Sequence, residues 1–278
     1  MNSAVKLYTV LVLIFIVLYS LAPAFGILGV ALELLAFAIP VAVGFVASRR
    51  YKREREEAKG LAEAESTLFG LSGDAALDLL PLVAPAVALI FLISFLTSLL
   101  LGALGMTADH VENEELWKML LLHALMPSLL EEMLFRYLPM KLIAPYSRRT
   151  AILISSLFFA LIHMSLFQLP YAFFAGLIFI LIDLAADSVL PSMIIHFVNN
   201  TISVLWIKYA ADPGFATCYV VILAALALIS LIPIIIRRRR YAALLKDVTA
   251  KGEVLTDYSA PLILTALSAL LMLGSILV

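Results

Sequence analysis

Long apolar runs separated by short polar segments dominate the chain. A helix needs about 20 mostly apolar residues to cross the hydrocarbon core of a bilayer. By this criterion the pattern predicts spans near residues 7–25, 27–48, 81–104, 117–140, 150–168, 170–187, 190–209, 216–236 and 259–278. We therefore predict an all-α, polytopic transmembrane bundle of about eight or nine helices, forming a single integral membrane domain over residues 1–278.

The composition agrees with this pattern, since 64% of the residues are hydrophobic and 14% are charged. Such values are typical of polytopic membrane proteins and leave no segment long enough for a separate soluble domain. We expect membrane lipids as partners and no nucleic acid. The chain contains one cysteine, Cys218, which excludes an intramolecular disulfide bond.

The distribution of basic residues predicts the orientation. With alternating spans, the basic clusters at 49–59, 141–149 and 237–240 lie on one side, and the acidic loop DHVENEE lies on the other. The positive-inside rule then places the N-terminus in the cytoplasm and the C-terminus outside. We interpret the four arginines at 237–240 as an anchor for the end of a span at anionic lipid.

Ionisable residues inside the predicted spans are the candidates for chemistry, because each charge at the bilayer centre costs about 2.5–3.5 kcal/mol on insertion scales. Several of them fall into three patterns, and in each pattern two residues four positions apart share a helix face. These residues are Glu131, Glu132 and Arg136, then Phe159 and His163, then His196 and Asn200. At about 1.5 Å of rise per residue, Glu131, His163 and His196 lie ~15, ~20 and ~8 Å from the cytoplasmic ends of their helices, within the inner half of the bilayer up to its middle.

The three motifs, EExxxR, FxxxH and HxxxN in this order, resemble the signature of the CPBP intramembrane proteases. This family includes the Ras-converting CAAX endopeptidases and the bacterial Abi proteins. The resemblance covers residues 117–209, which we designate the catalytic core. It implies an all-helical bundle with a conical internal catalytic cavity.

The resemblance also implies a role for each residue. Glu131 and His163 would activate a water molecule, while His196 and Asn200 would stabilise the oxyanion formed during peptide hydrolysis. These roles suit the residue types, because carboxylates and imidazoles are general bases and side-chain N–H groups form oxyanion holes. We interpret Glu132 and Arg136 as a buried ion pair that orients the catalytic helix, with Phe159 in a supporting role. The substrate would be a peptide or protein at the membrane, with or without an attached lipid.

Three alternatives remain open at the level of sequence. Two histidines and one or two glutamates match the ligand types of a zinc protease, although the chain has no HExxH motif and we favour a reaction without a cofactor. Intramembrane acids and histidines also form proton relays in transporters. A non-catalytic scaffold is the third alternative. Asp183 and Asp187 are interpreted as residues of the headgroup region.

Overall fold

The computed structural model describes residues 1–25, 27–59, 70, 79–106, 114–249, 252 and 255–277, and this part of the chain contains helices and no strand. The helices are α1 (Asn2–Leu21), α2 (Ile27–Lys59), α3 (Val83–Ala103), the helical rod α4 (116–142), α5 (Arg148–Leu161), α6 (Leu169–Ala186), α7 (Leu190–Tyr209), α8 (Pro213–Ile236), α9 (Arg238–Val248) and α10 (Ser259–Leu277). Short 3₁₀ turns at Ala22–Phe25 and Leu80–Leu82 follow α1 and precede α3.

Six helices of the described residues are long and apolar enough to cross a membrane: α1, α2, α3, α6, α7 and α8. The helical content and these spans confirm the predicted all-α membrane bundle. The rod α4, the shorter α5 and the C-terminal α10 complete it. The chain is therefore an integral membrane protein.

The rod α4 changes its helical type along its length. Its α-helical pieces are Leu116–Met119, Met126–Glu132 and Leu138–Leu142, and two π-helical stretches, Leu120–Leu125 and Met133–Tyr137, lie between them. The first π-helical stretch ends two residues before Pro127, so the rod approaches the proline through wider turns. The second follows Glu132 and contains Arg136. Such π-helical turns occur often at functional sites.

Helix α5 ends earlier than the sequence predicts. The predicted span 150–168 is wrong at its C-terminal end, because α5 stops at Leu161 and residues 162–168 form turns before α6 begins. Met164 in these turns has a φ of 49°, a left-handed conformation in which a helix cannot continue. His163 therefore lies in the turn after the helix, one residue beyond the C-cap Ile162.

Helices α5 and α6 approach each other closely in the core. A Cβ atom at Gly176 of α6 would lie 2.9 Å from the Cα atom of Ser156 in α5. Small residues at such crossings let two membrane helices pack backbone to backbone. This crossing holds Phe159 of α5 against Phe179 of α6, with 6.4 Å between the ring centroids.

A further feature of the fold is the length of α2. Helix α2 continues through the charged stretch to Lys59, well beyond the predicted boundary at residue 48.

Candidate active site

Glu132, Arg136 and His196 form a buried ionic cluster between α4 and α7. Both Glu132 and Arg136 have side chains that are 0% exposed, and Arg136 Nε lies 3.2 Å from Glu132 Oε2. The other oxygen, Glu132 Oε1, is 2.7 Å from His196 Nδ1, which donates a hydrogen bond to it in the tautomer that pairs the ring with a carboxylate. Glu132 thus connects the EExxxR and HxxxN motifs across 64 residues of sequence.

Glu131 lies on the other side of the same imidazole ring. Its Oε2 atom is 3.9 Å from His196 Nε2, beyond hydrogen-bond distance. The Glu131 side chain is 16% exposed, and its Oε2 atom has no hydrogen-bond partner among the described residues. The two adjacent glutamates are therefore different, since Glu132 is hydrogen-bonded to His196 and ion-paired with Arg136, whereas Glu131 faces an imidazole nitrogen beyond hydrogen-bond distance.

His163 is fixed at the end of α5 by its own ring. His163 Nδ1 is 2.7 Å from the carbonyl oxygen of Phe159, so the nitrogen that carries the proton is Nδ1, because a carbonyl can only accept. Helix ends leave such carbonyls without main-chain partners, and here the imidazole supplies the donor. The Nε2 atom is then the acceptor and can receive a proton from water.

Phe159 lies at the centre of the aromatic contacts. Its ring centroid is 5.0 Å from that of His163 and 5.8 Å from that of His196, both in edge-on arrangements. The guanidinium carbon of Arg136 lies 4.2 Å from the same centroid, a cation–π distance. Phe159 therefore contacts both histidines and packs on the arginine.

Asn200 lies one turn beyond His196 on α7 and is half-buried. Its Oδ1 atom accepts a hydrogen bond of 3.2 Å from Asn199 Nδ2. This contact orients the amide so that the two hydrogens of Asn200 Nδ2 remain for another acceptor.

Sequence reasoning missed several residues of this region. Asp183 was interpreted as a headgroup residue, yet it is 0% exposed, and its Oδ1 atom accepts the backbone N–H of Ser192 at 3.0 Å. Ser192 precedes His196 by one helical turn, so Asp183 of α6 holds the start of α7. Tyr8 of α1 is also fully buried and stacks on Phe158 with 5.6 Å between the ring centroids.

A signal for Asp183 exists in the sequence, because an aspartate within an apolar run is as costly as the glutamates of α4. The position of Asp183 near the end of its predicted span favoured its placement in the headgroup region. Tyr8 gives no comparable signal, since tyrosines are common near membrane interfaces.

The zinc alternative can be tested against the donor atoms. Each histidine directs Nδ1 at an oxygen, which is a common second contact of a zinc-bound imidazole. However, no group of three or more His, Cys, Asp and Glu side chains in the described part of the chain is arranged to hold a metal ion. The Glu132 carboxylate is already shared between Arg136 and His196. These residues, as placed, do not fit a zinc site.

The fold and this site together define an all-helical membrane protein with acidic and histidine side chains gathered inside its bundle. Residues 113–202, about a third of the chain, match the family model described as Rce1-like type II CAAX prenyl endopeptidase. The match confirms the resemblance that the three motifs predict, and the family indicates a protease acting on peptides or proteins at the membrane. No curated protein and no solved structure matches the chain.

Proposed function

We propose that this protein is an intramembrane endopeptidase that hydrolyses a peptide bond of a membrane-associated substrate without a metal ion. The observation that carries the proposal is the position of His196, whose Nδ1 bonds to Glu132 at 2.7 Å while its Nε2 faces the free Oε2 of Glu131 at 3.9 Å. The family match over residues 113–202 supports the same reaction class.

In the proposed reaction, Glu131 and His163 Nε2 hold a water molecule, and Glu131 takes its proton as the water oxygen attacks the scissile carbonyl carbon. The negative charge that develops on the carbonyl oxygen is stabilised by N–H donors of His196 Nε2 and Asn200 Nδ2. Loss of one such donor typically costs about 2.7–4 kcal/mol of transition-state stabilisation. Glu131 then returns the proton to the amine as the C–N bond breaks.

The His196 ring can act as a donor at Nε2 when it carries protons on both nitrogens. Its Nδ1 atom lies 2.7 Å from Glu132 Oε1 and its Nε2 atom lies 3.9 Å from Glu131 Oε2. Arg136 balances the charge of Glu132. The ring centroids of Phe159 and Phe179 lie 4.2 and 5.3 Å from its guanidinium carbon. Glu132 and Arg136 thereby act as positioning residues for His196.

The decisive experiment uses purified protein and a panel of peptides with and without a C-terminal prenyl group. Wild-type protein should cleave at least one class of peptide, and Glu131→Gln, which keeps the size of the side chain and removes the base, should be inactive. A transporter or scaffold would show no cleavage with either protein. The peptides that are cleaved would also tell whether an attached lipid is required.

Metal dependence is decided separately with a strong chelator. We expect cleavage to persist after chelation and dialysis. Activity that disappears with chelator and returns only with added zinc would overturn the metal-free part of the proposal and leave the protease assignment intact.

A further inference from the structure

The lipid-facing helix α8 ends in four consecutive arginines. None of the apolar window of α8 is fully buried within the protein, so this 24-residue helix lies at the edge of the bundle and exposes one side to acyl chains. Arg237–Arg240 follow immediately after Ile236. Because guanidinium groups are excluded from the hydrocarbon core, these arginines lie at the level of the lipid headgroups.

The arginines surround one pocket. Arg237–Arg240, together with Ile236, line a volume of about 390 Å³ at the junction of α8 and α9. Arg238 Nη1 donates to the carbonyl oxygen of Ile235 at 3.3 Å, which holds this side chain over the end of α8. Guanidinium groups bind phosphate oxygens through paired N–H donors, so a cluster of four is suited to a phosphate ester.

Helix α9, which carries three of the four arginines, is fixed to the rest of the bundle at its other end. Val248 is buried against Ile152 and Ile180 of α5 and α6. Arg148 Nη1 pairs with Asp247 Oδ2 at 3.2 Å, and Arg149 Nε donates to the carbonyl oxygen of Thr249 at 2.6 Å. The pocket therefore has a fixed position relative to α5, the helix that ends beside His163.

We propose that the arginine pocket, defined by Arg237–Arg240, binds the headgroup phosphate of an anionic phospholipid whose acyl chains lie along α8. The occupant follows from the two halves of the site, a basic pocket and an apolar helix directly below it. Free phosphate could bind in the basic pocket but would make no contact with the apolar helix. A zwitterionic lipid would bring its own cation close to four arginines, which is unfavourable.

The proposal is tested by thermal unfolding of the purified full-length protein in an uncharged detergent, titrated with phosphatidylglycerol. We expect a saturable rise in the unfolding temperature, and no rise with phosphatidylcholine or inorganic phosphate. Replacing all four residues, Arg237→Gln through Arg240→Gln, should weaken the apparent affinity at least about 100-fold, given the energy that each basic residue contributes near an anionic surface.

A matched control removes the same number of charges from another basic cluster on the same predicted side. Arg49, Arg50, Lys52 and Arg53 of α2, all changed to Gln, should leave the response to phosphatidylglycerol unchanged. Replacing the four pocket arginines by Lys keeps the charge but loses the paired donors, and should give an intermediate affinity.

Three results would overturn the proposal. The first is an equal loss of affinity for phosphatidylglycerol in the α2 control, which would indicate a general effect of surface charge. The second is a rise in the unfolding temperature with inorganic phosphate alone. The third is an unchanged response to phosphatidylglycerol in the pocket variant. If the fourfold Gln protein does not fold, the Lys variant and the phosphate titration still decide between these outcomes.

Discussion

Glu131 and Glu132 are neighbours in sequence but have different surroundings, and this difference can be measured. Glu132 is 0% exposed, ion-paired with Arg136 and hydrogen-bonded to His196, whereas Glu131 is 16% exposed and lies 3.9 Å from His196 Nε2. Loss of one partner of a buried ion pair typically costs about 3–5 kcal/mol, because the remaining charge stays buried. The two glutamates should therefore respond differently to the same substitution.

We predict that Glu132→Gln lowers both thermal stability and peptidase activity, while Glu131→Gln abolishes activity and leaves stability close to that of the wild type. Thermal unfolding in detergent measures the stability of each variant, and the peptide assay measures its activity. Equal destabilisation by both substitutions would contradict the assignment of Glu132 as the structural partner and Glu131 as the base.

Asp183 gives a second prediction at this scale. Its carboxylate accepts the N–H of Ser192 and so fixes the rotation of α7 on which His196 depends. Asp183→Ala removes the acceptor, and we expect kcat to fall about tenfold or more with little change in KM, because small displacements of catalytic groups are costly.

Asp183→Asn is the matched control for this prediction, because it keeps an oxygen acceptor without the charge. It should retain most of the activity, measured as kcat and KM on the same peptide. If Asn is as damaging as Ala, the charge of Asp183 matters more than its hydrogen bond to α7.

At the scale of elements, the crossing of α5 and α6 depends on a glycine. The Cβ atom of an alanine at 176 would meet the backbone of Ser156 at 2.9 Å, and a backbone cannot rotate away as a side chain can. We predict that Gly176→Ala lowers the free energy of unfolding by about 1–3 kcal/mol. It should also lower activity, because α5 carries Phe159.

Gly102 of α3 is the control for this substitution, since a Cβ atom there meets no atom within 4 Å. Gly102→Ala should be neutral or stabilise slightly, because alanine is the better helix former. Thermal unfolding of the two variants side by side tests the comparison. A similar loss from both would show that the α5–α6 contact is not the cause.

The sequence predicted the long apolar elements well because length and hydropathy alone determine them. The predicted spans 170–187 and 190–209 correspond to α6 (Leu169–Ala186) and α7 (Leu190–Tyr209). Helix α9 was missed, since a charged amphipathic segment does not stand out in a search for apolar runs. The early end of α5 was also missed, because the residues after Leu161 remain apolar.

The candidate site was predictable in residue types but not in pairing. Motif spacing places Glu132 and Arg136 on one face, and the structure brings them within 3.2 Å. The bond between Glu132 and His196 depends on how α4 and α7 are rotated relative to each other. Side-chain packing determines that rotation, and it cannot be predicted from a single sequence. The roles of Glu131, His163, His196 and Asn200 remain predictions.

At the scale of the whole molecule, the placement of the basic clusters predicts one orientation in the membrane. We expect Asp212, between α7 and α8, to lie outside, and Thr249, after α9, to lie in the cytoplasm. In a Cys218→Ser background, Asp212→Cys should react with an impermeant maleimide in intact cells, and Thr249→Cys only after permeabilisation. The reverse labelling pattern would show that the predicted orientation is wrong and that the arginine pocket lies on the outer side.

The early end of α5 has a consequence for the surrounding bilayer. Its 14 residues give a length of about 21 Å, less than the roughly 30 Å thickness of hydrocarbon. The irregular backbone of 162–168 therefore lies at a depth where other helices are still surrounded by acyl chains. Such backbone is stable only where protein or solvent satisfies its polar groups. Here the chain itself supplies those partners, since the N–H groups of His163 and Met164 donate to the carbonyl oxygens of Ala160 and Leu161. The turn can therefore hold His163 within the thickness of the bilayer without lipid solvating its backbone.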